Sequence, residues 1–136
     1  MKTATEHLKA YGIRPSVQRI AVMKYLLEHR THPTADEIYV ELLKDIPTLS
    51  KTTIYNTLDL LVAHKAVLEL NIDSKMAHYD GYPEAHSHFQ CRVCKRIFDM
   101  RFDASLLKSI MPKDGFLIED MQLYYSGVCP GCNNKN

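Results

Sequence analysis

The sequence lacks the hydrophobic segments that membrane insertion or export requires. Its apolar runs are only a few residues long, as at 60–63, whereas a membrane-spanning helix needs about 20 residues. Residues 1–7 contain no apolar stretch of the kind found in signal peptides. We therefore expect a cytoplasmic protein with no membrane partner.

Several catalytic signatures are also absent. The chain has no H-E-x-x-H, no phosphate-binding G-x-x-x-x-G-K-[ST] and no G-x-S-x-G. The zinc deaminase signature fails because no H-x-E occurs and because Pro130 follows Cys129 instead of preceding it. With 46% hydrophobic and 24% charged residues, the 136-residue chain has the composition of a globular protein. We predict one or two small domains and no enzymatic activity.

The net charge of +1 conceals an uneven distribution of charge along the chain. Residues 1–30 carry six Lys and Arg against two Glu, whereas residues 66–136 carry eight Lys and Arg against nine Asp and Glu. A basic amino-terminal region is a weak indication of nucleic-acid binding. An ordinary solvated surface explains the same charges equally well, so charge alone leaves both interpretations open.

Helical periodicity dominates the first half of the chain. One helix begins near Ser16, a second follows the capping box of Thr34 and Glu37, and a third begins after Ser50. The apolar residues that recur at helical spacing predict the buried faces. They are Val17, Ile20, Ala21, Met23 and Leu27 in the first helix, Ala35, Ile38, Tyr39 and Leu42 in the second, and Ile54, Leu58, Leu61 and Val62 in the third.

A two-residue periodicity follows these helices. Residues 67–72 and 76–80 alternate like the strands of a hairpin around a turn at 73–75. Three helices and a hairpin predict a winged helix-turn-helix domain over residues 1–82, with a hinge near 81–84.

The remaining residues, 83–136, contain only short elements. Strands are predicted at 88–91 and 96–98, a helix at 104–111, and one or two strands within 116–128. The second domain is therefore expected to be small and α/β, which makes the fold class of the whole chain α+β.

The four cysteines form two C-x2-C pairs, Cys91 with Cys94 and Cys129 with Cys132. In a reducing cytoplasm such pairs indicate metal ligands rather than disulfides. Two C-x2-C turns complete a tetrahedral Zn²⁺ site with no position open for chemistry, and a domain of this size benefits from such a staple. Redox-active C-x-x-C motifs or buried free thiols are the alternatives.

Histidines cluster shortly before the first cysteine pair. His86 and His88 are two residues apart, so on a strand both rings face the same side. With a carboxylate nearby they suit a divalent metal such as Fe, Mn or Zn, although a polar strand edge would look the same. The spacing does not choose between His78 and Asp80 as a ligand.

The other histidines have no partner nearby in the sequence. Taken on its own, His32 is interpreted as a polar loop residue. The isolated residues His7, His29 and His64 are interpreted as surface histidines.

Four motifs in this order carry a family resemblance. They are His32-Pro-Thr-Ala-Asp-Glu-Ile-Tyr39, Ser50-x-x-Thr-Ile-Tyr-Asn-Thr-Leu58, His86-x-His88-x-x-Cys91-x-x-Cys94 and Gly127-x-Cys129-x-x-Cys132. The chain resembles the ferric uptake regulator (Fur) family from about Leu8 to Cys132. The resemblance implies a winged-helix DNA-binding domain, a hinge and an α/β domain that forms a homodimer, in a metal-dependent transcriptional repressor.

The resemblance also implies a regulatory metal site. In the peroxide-sensing (PerR-like) branch, three histidines and two aspartates hold Fe²⁺ or Mn²⁺, and Zn²⁺ can occupy the site in purified protein. The matching residues are His32, Asp80, His86, His88 and Asp99. Asp99 stands where iron-sensing members have Glu, which favours the peroxide branch. Ser87 and Met121 replace the ligands of a further family site, which is therefore expected to be missing.

DNA contacts follow from the third predicted helix, whose polar face is expected to enter the major groove of a palindromic operator. By resemblance and position, the predicted contacts are Arg14, Arg19, Lys51, Thr52, Thr53, Tyr55 and Asn56. Core packing is the alternative for Tyr55. Ligands from both domains would couple metal binding to the spacing of the two recognition helices in the dimer.

These expectations describe a repressor that senses peroxide through bound Fe²⁺ or Mn²⁺ and controls oxidative-stress and metal-homeostasis genes. On peroxide exposure, oxidation of His32 or His86 would release the DNA. The alternatives are an iron- or manganese-responsive repressor of the same family and, from a different class, a C-x-x-C redox or metal-buffer protein. Neither member of that second class would bind an operator.

Overall fold

The computed structural model describes residues 2–73, 75–83, 87–100, 105, 109–119 and 121–133. It divides into two compact units, Met1–Pro83 and Glu84–Asn136. This division falls one residue after the boundary expected from the sequence.

Four capped helices form most of the first unit. They are α1 (Ala4–Ala10), α2 (Val17–Glu28), α3 (Ala35–Leu43) and α4 (Lys51–Ala63). Each begins where a Ser or Thr side chain accepts a backbone N–H of the first turn, which satisfies a donor that the helix itself cannot. The capping residues are Thr3, Ser16, Thr34 and Ser50. The capping box predicted at Thr34 and Glu37 is present.

Helix α1 was not among the three helices expected from the sequence. Its signal is local, because Thr3 accepts a hydrogen bond from the backbone N–H of Glu6 at 3.1 Å. Leu8 in this helix is fully buried. The seven-residue helix is too short to show a clear periodicity.

One hydrophobic core joins the four helices. Its fully buried side chains come from every helix and include Leu8, Met23, Leu26, Ile38, Ile54, Leu58 and Leu61. The buried face predicted for α4 is correct for Ile54, Leu58 and Leu61. The face predicted for α2 is partly correct: Met23 is fully buried, and Ile20, Ala21 and Leu27 pack against the core. Val17 in the first turn is 70% exposed, however, and the prediction missed the buried residues Val22 and Leu26. Apolar residues surround most of α2, so periodicity alone could not choose its buried side.

A short antiparallel hairpin completes the first unit. Strand β1 (Leu68–Leu70) pairs with β2 (His78–Asp80), and Leu68 lies opposite Asp80. Both strands are shorter than predicted. The helices followed by this hairpin form the predicted winged helix-turn-helix domain, so this part of the fold prediction is confirmed.

The second unit is built on a three-stranded sheet. Strand β3 (Ser87–Cys91) lies between β4 (Ile97–Met100), which is antiparallel to it, and β5 (Tyr124–Gly127), which is parallel to it. A short helix, α5 (Pro130–Asn133), follows. The backbone is helical at 105 and 109–110, and the rest of the helix expected at 104–111 lies largely outside the described residues. The α+β class is confirmed.

Among the described residues, no helix is both long enough and apolar enough to cross a membrane.

Candidate metal centres and nucleic-acid interface

The four cysteines meet at one point of the second unit. Cys91 ends β3, Cys94 lies in the turn that follows, and Cys129 and Cys132 flank the start of α5. All four are free thiols, and their sulfur atoms lie within 4.8 Å of one another. The Sγ atoms of Cys94 and Cys129 are 3.9 Å apart, close to the roughly 3.8 Å edge of a tetrahedron with Zn–S bonds of about 2.3 Å. The donor set therefore fits Zn²⁺.

Backbone amides prepare Cys91 for metal binding. Its Sγ accepts N–H hydrogen bonds from Val93, Cys94 and Cys129, each at 3.4 Å. Burial alone raises the pKa of this thiol, but the N–H donors of Cys129, Cys94 and Val93 outweigh it and lower the pKa to about 6. A hydrogen bond with Cys129, together with burial, raises the pKa of Cys132 to about 12. A cation bound between the sulfurs stabilises the fourth thiolate, so Cys132 can lose its proton despite its raised pKa.

A His–Asp pair lies in the first unit. Nε2 of His32 is 3.4 Å from Oδ2 of Asp80, and both side chains are 2% exposed. The other carboxylate oxygen of Asp80 accepts the backbone N–H of Tyr82 at 2.9 Å, which fixes the direction of the carboxylate. His32 is thus more than a polar loop residue, because a loop histidine without a role is seldom so completely buried.

Close packing holds the segment that carries Asp80. A Cβ atom at Gly81 would lie 2.9 Å from the carbonyl oxygen of Leu26 in α2, so only glycine fits there. The Tyr82 hydroxyl donates a hydrogen bond to the carbonyl of Leu27 at 2.8 Å, and the guanidinium of Arg30 lies 3.9 Å from the centre of the Tyr82 ring. These contacts make Asp80 a rigidly placed carboxylate.

A second His–Asp pair lies in the second unit. His88 on β3 and Asp99 on β4 are cross-strand partners, and Nε2 of His88 is 3.3 Å from Oδ1 of Asp99. His88 is buried, whereas the Asp99 side chain is 29% exposed. The predicted ligand His86 lies outside the described residues. Each unit thus supplies one imidazole and one carboxylate, which are donors that suit Fe²⁺, Mn²⁺ or Zn²⁺.

The two residues expected to replace ligands of a further family site offer little to a metal. Ser87 is buried and its hydroxyl donates to the carbonyl of Met100 at 3.3 Å. Met121 is 39% exposed. Neither residue supplies a carboxylate or an imidazole.

Helix α4 presents its predicted reading face to solvent. Lys51, Thr52 and Asn56 are exposed, Thr53 is half-buried, and Tyr55 is 45% exposed, so the core-packing alternative for Tyr55 is wrong. The Tyr55 hydroxyl donates to Oδ1 of Asp36 at 3.5 Å, and Nζ of Lys51 is 3.7 Å from the same oxygen. Asp36 therefore helps to orient two of the predicted DNA contacts.

The predicted arginine contacts lie beside this helix. Nη1 of Arg19 donates to the carbonyl of Arg14 at 2.8 Å, which connects α2 to the loop before it. An open surface groove of about 250 Å³ is lined by Arg19 together with Thr53 and Asn56 of α4. A concave, polar surface with a cation suits a nucleic-acid backbone better than an apolar ligand.

Two histidines have roles that the sequence did not reveal. His7, expected on the surface, is 5% exposed, and its Nε2 is 2.8 Å from the carbonyl oxygen of Ala66. The other two expected surface histidines, His29 and His64, are exposed. His78 hydrogen-bonds to the backbone of His32. Neither contact has a sequence signal, because each joins residues that are more than 40 positions apart.

Comparison with known proteins agrees with this architecture. The ferric uptake regulator family model matches residues 10–126. The chain belongs to the ferric uptake regulator family. It is therefore a transcriptional regulator of the metal-responsive repressor type, and the family resemblance is confirmed.

Two of the proteins that are more than 30% identical to this chain are peroxide regulators. The peroxide-responsive repressor PerR of Staphylococcus aureus strain Mu50 is 35% identical over 132 residues, which cover 94% of this chain and 88% of the relative. The structure of the Campylobacter jejuni peroxide stress regulator is 32% identical with a TM-score of 0.72, covering 94% of this chain and 95% of that one.

A manganese-containing relative has the same fold. The ferric uptake regulator of Pseudomonas aeruginosa, solved with manganese, has a TM-score of 0.73 at 22% identity, covering 95% of this chain and 99% of that one. At this identity the likeness concerns the fold alone.

Proposed function

We propose that this Fur-family repressor senses peroxide through Fe²⁺ bound by His32, Asp80, His86, His88 and Asp99. The observation that carries the proposal is the pairing of candidate ligands within each unit, His32 with Asp80 and His88 with Asp99. Two aspartates neutralise a divalent cation, and both histidines are buried, as ligands commonly are. The likeness to two peroxide regulators supports the same conclusion.

The second unit binds a structural Zn²⁺ ion through its four cysteines. The spacing of the sulfur atoms and the N–H donors around Cys91 support this assignment. Four thiolates leave no coordination position for substrate, so the site stabilises the fold and takes no part in sensing.

The first unit binds double-stranded DNA. Thr52, Tyr55 and Asn56 of α4 read the major groove, while Lys51 at the start of the helix contacts a phosphate. Thr53 borders this face, and Arg14 and Arg19 contact the DNA backbone beside it. The exposure of the polar face of α4 supports these roles.

The regulator acts in the cytoplasm as a homodimer on a palindromic operator, controlling oxidative-stress and metal-homeostasis genes. Two identical subunits match two half-sites of opposite orientation. Phe116 and Leu117 of the second unit are 68% and 84% exposed, and a second copy of the chain would cover such apolar side chains.

The ligands couple the two units. Because His32 and Asp80 belong to the first unit while His86, His88 and Asp99 belong to the second, an ion shared by all five favours one arrangement of the units. When bound by these residues, Fe²⁺ would promote cleavage of the O–O bond of hydrogen peroxide. The imidazole of His32 or His86 would lose two electrons and gain one oxygen atom, and the second oxygen would leave as water. An oxidised imidazole is a poorer ligand, so the coupling is lost and the DNA is released. Mn²⁺ supports DNA binding but reacts far less with peroxide.

Operator binding tests this proposal. The zinc-loaded protein first selects its operator from random duplex DNA in Mn²⁺. Affinity for that duplex is then measured in Fe²⁺ or Mn²⁺, each before and after peroxide, together with the mass of the histidine-containing peptides.

We expect peroxide to release the operator only from the Fe²⁺ form, with one added oxygen on His32 or His86. Metal-dependent binding that peroxide does not change in either metal would contradict peroxide sensing and leave an iron- or manganese-responsive repressor. Thiol oxidation without selection of any operator would instead support a redox protein.

A further inference from the structure

His78 is a histidine that the proposed function does not use. It lies on β2, two residues before Asp80, and its side chain is 14% exposed. Its Nδ1–H donates a hydrogen bond to the backbone carbonyl of His32 at 2.7 Å. The bond joins two segments that are 46 residues apart in the sequence. His78 therefore contacts the main chain of a candidate ligand.

The backbone of His32 needs such a contact. Its φ is +56°, in the left-handed region that residues with a Cβ seldom adopt because of steric strain. Strand β2 holds this segment at two points: the His78 ring bonds to the carbonyl of His32, and the N–H of Tyr79 donates to the carbonyl of Pro33 at 2.9 Å. Of these two bonds, the one from His78 is made to the candidate ligand His32 itself, and the other is made to the next residue.

The second ring nitrogen of His78 is also engaged. Nε2 lies 3.1 Å from Oδ2 of Asp73, and the other carboxylate oxygen of Asp73 accepts the backbone N–H of Lys75 at 2.9 Å. Among the described residues, however, His78 and Asp73 belong to no group of three or more side chains that could hold a metal. The bond to the carbonyl of His32 instead indicates a role in orienting that candidate ligand.

We infer that His78 is a positioning residue, which fixes the left-handed backbone of His32 and so aims the His32 imidazole at the regulatory metal. The inference rests on the proposed function, because it takes His32 as a ligand. It predicts that the regulatory metal binds less tightly when the Nδ1–H donor is lost, although His78 does not touch the metal. Contacts that orient a ligand typically change metal affinity by about 10–100-fold.

Three substitutions at this position separate the role of the donor from that of the ring. His78→Ala removes both contacts. In His78→Asn the side-chain amide nitrogen lies near the place of Nδ1 and can still donate to the carbonyl of His32. In His78→Gln the amide lies near the place of Nε2 and reaches toward Asp73 instead. His64→Ala is the matched control, because His64 is exposed and its ring contacts only the carbonyl of Leu60 in its own helix among the contacts described.

Mn²⁺ affinity of the zinc-loaded protein is the readout, measured from the electron paramagnetic resonance signal of free Mn²⁺. We expect His78→Ala to weaken Mn²⁺ binding by about tenfold or more. His78→Asn should remain within about threefold of wild type, whereas His78→Gln should be nearly as weak as His78→Ala. His64→Ala should equal wild type.

Two results would overturn the inference: wild-type Mn²⁺ affinity in His78→Ala, or His78→Asn binding no better than His78→Gln. If His78→Ala does not fold, the comparison of the Asn and Gln variants decides alone. His32→Ala, measured in parallel, reports on the proposed function itself. Should His32→Ala bind Mn²⁺ as tightly as wild type, the site assignment fails, and the role of His78 fails with it.

Discussion

The two units of this protein are held together by different means. In the first unit, apolar side chains from four helices and the hairpin form one continuous buried core. In the second, the buried side chains among the described residues are Ser87, His88, Cys91 and Cys129, while apolar residues such as Phe116 and Leu117 are exposed. The first unit therefore relies on hydrophobic burial, and we infer that the second relies on its metal and on a partner subunit.

This difference suits a regulator. A DNA-binding unit with its own core can keep its fold whether or not the regulatory metal is present. A small unit with little buried apolar surface gains its stability from ligands. In the proposed function, the metal and the dimer partner would then control the second unit, while the proposed reading surface of α4 stays intact.

Loss of the structural zinc should have the largest effect. Zinc binding to such sites contributes about 10–16 kcal/mol, so Cys94→Ser should lose zinc, unfold the second unit and abolish the dimer. The first unit should keep its fold. Hydrogen exchange followed by mass spectrometry, with zinc analysis and sedimentation, measures all three effects. Val93→Ala, at an exposed position between the two cysteines, is the control. A zinc-free dimer of Cys94→Ser with protected β3 amides would contradict this account.

A core substitution should produce the opposite pattern. Leu58 is fully buried in α4, and its replacement by Ala should lower the free energy of unfolding of the first unit by about 2–5 kcal/mol. Zinc content should not change, since the cysteines lie in the other unit. Chemical denaturation and zinc analysis test this. Val40→Ala, at a position 56% exposed on α3, should change stability by less than about 0.5 kcal/mol. Equal effects of the two variants would show that the core is not where we place it.

Asp99 should control the speed of the peroxide response. Asp99→Glu adds a methylene, so the carboxylate can chelate the metal and fill the position that peroxide needs. The variant should still bind Fe²⁺ and repress, but its release from the operator after peroxide should be about tenfold slower, a barrier change of about 1.4 kcal/mol. The measurement is the rate of histidine oxidation and operator release in the Fe²⁺ form. Oxidation as fast as in wild type would show that Asp99 is not what keeps a coordination position open for peroxide. Peroxide sensing itself would not be contradicted by that result.

The smallest expected effect concerns the cap of α1. Thr3→Ala removes the acceptor for the Glu6 N–H and should destabilise the first unit by about 1 kcal/mol. Thermal unfolding measures the change, with the exposed residue Thr48 replaced by Ala as the control. An unchanged midpoint in Thr3→Ala would mean that α1 adds little to the stability of the unit.

Local signals explain which parts of the fold could be predicted. The caps at Ser16, Thr34 and Ser50 marked three helix starts correctly, because a cap depends on neighbours within one turn. The hairpin was located by its alternation, although its strands are shorter than expected. The parallel pairing of β3 with β5 had no local signal, since the two strands are separated by more than 30 residues.

The candidate sites, like the fold, could be predicted only where the signal is local in the sequence. Paired spacing was sufficient for the four cysteines, whose sulfur atoms do come together. Periodicity alone could not choose between His78 and Asp80, and the surface assignment of His7 was wrong. Both cases depend on contacts between distant segments: His78 with His32, and His7 with Ala66. Such contacts exist only after the core has formed.

In the proposed function, His32 makes DNA binding depend on the regulatory metal without supporting the fold. Its most direct test is the affinity of zinc-loaded wild type and His32→Ala for the selected operator duplex, with and without Mn²⁺, with His29→Ala as the exposed control. We predict that Mn²⁺ strengthens binding by about 5–150-fold in wild type and His29→Ala, and not in His32→Ala, whose zinc content and hydrogen-exchange protection stay normal. An undiminished response to Mn²⁺ in His32→Ala would contradict the account.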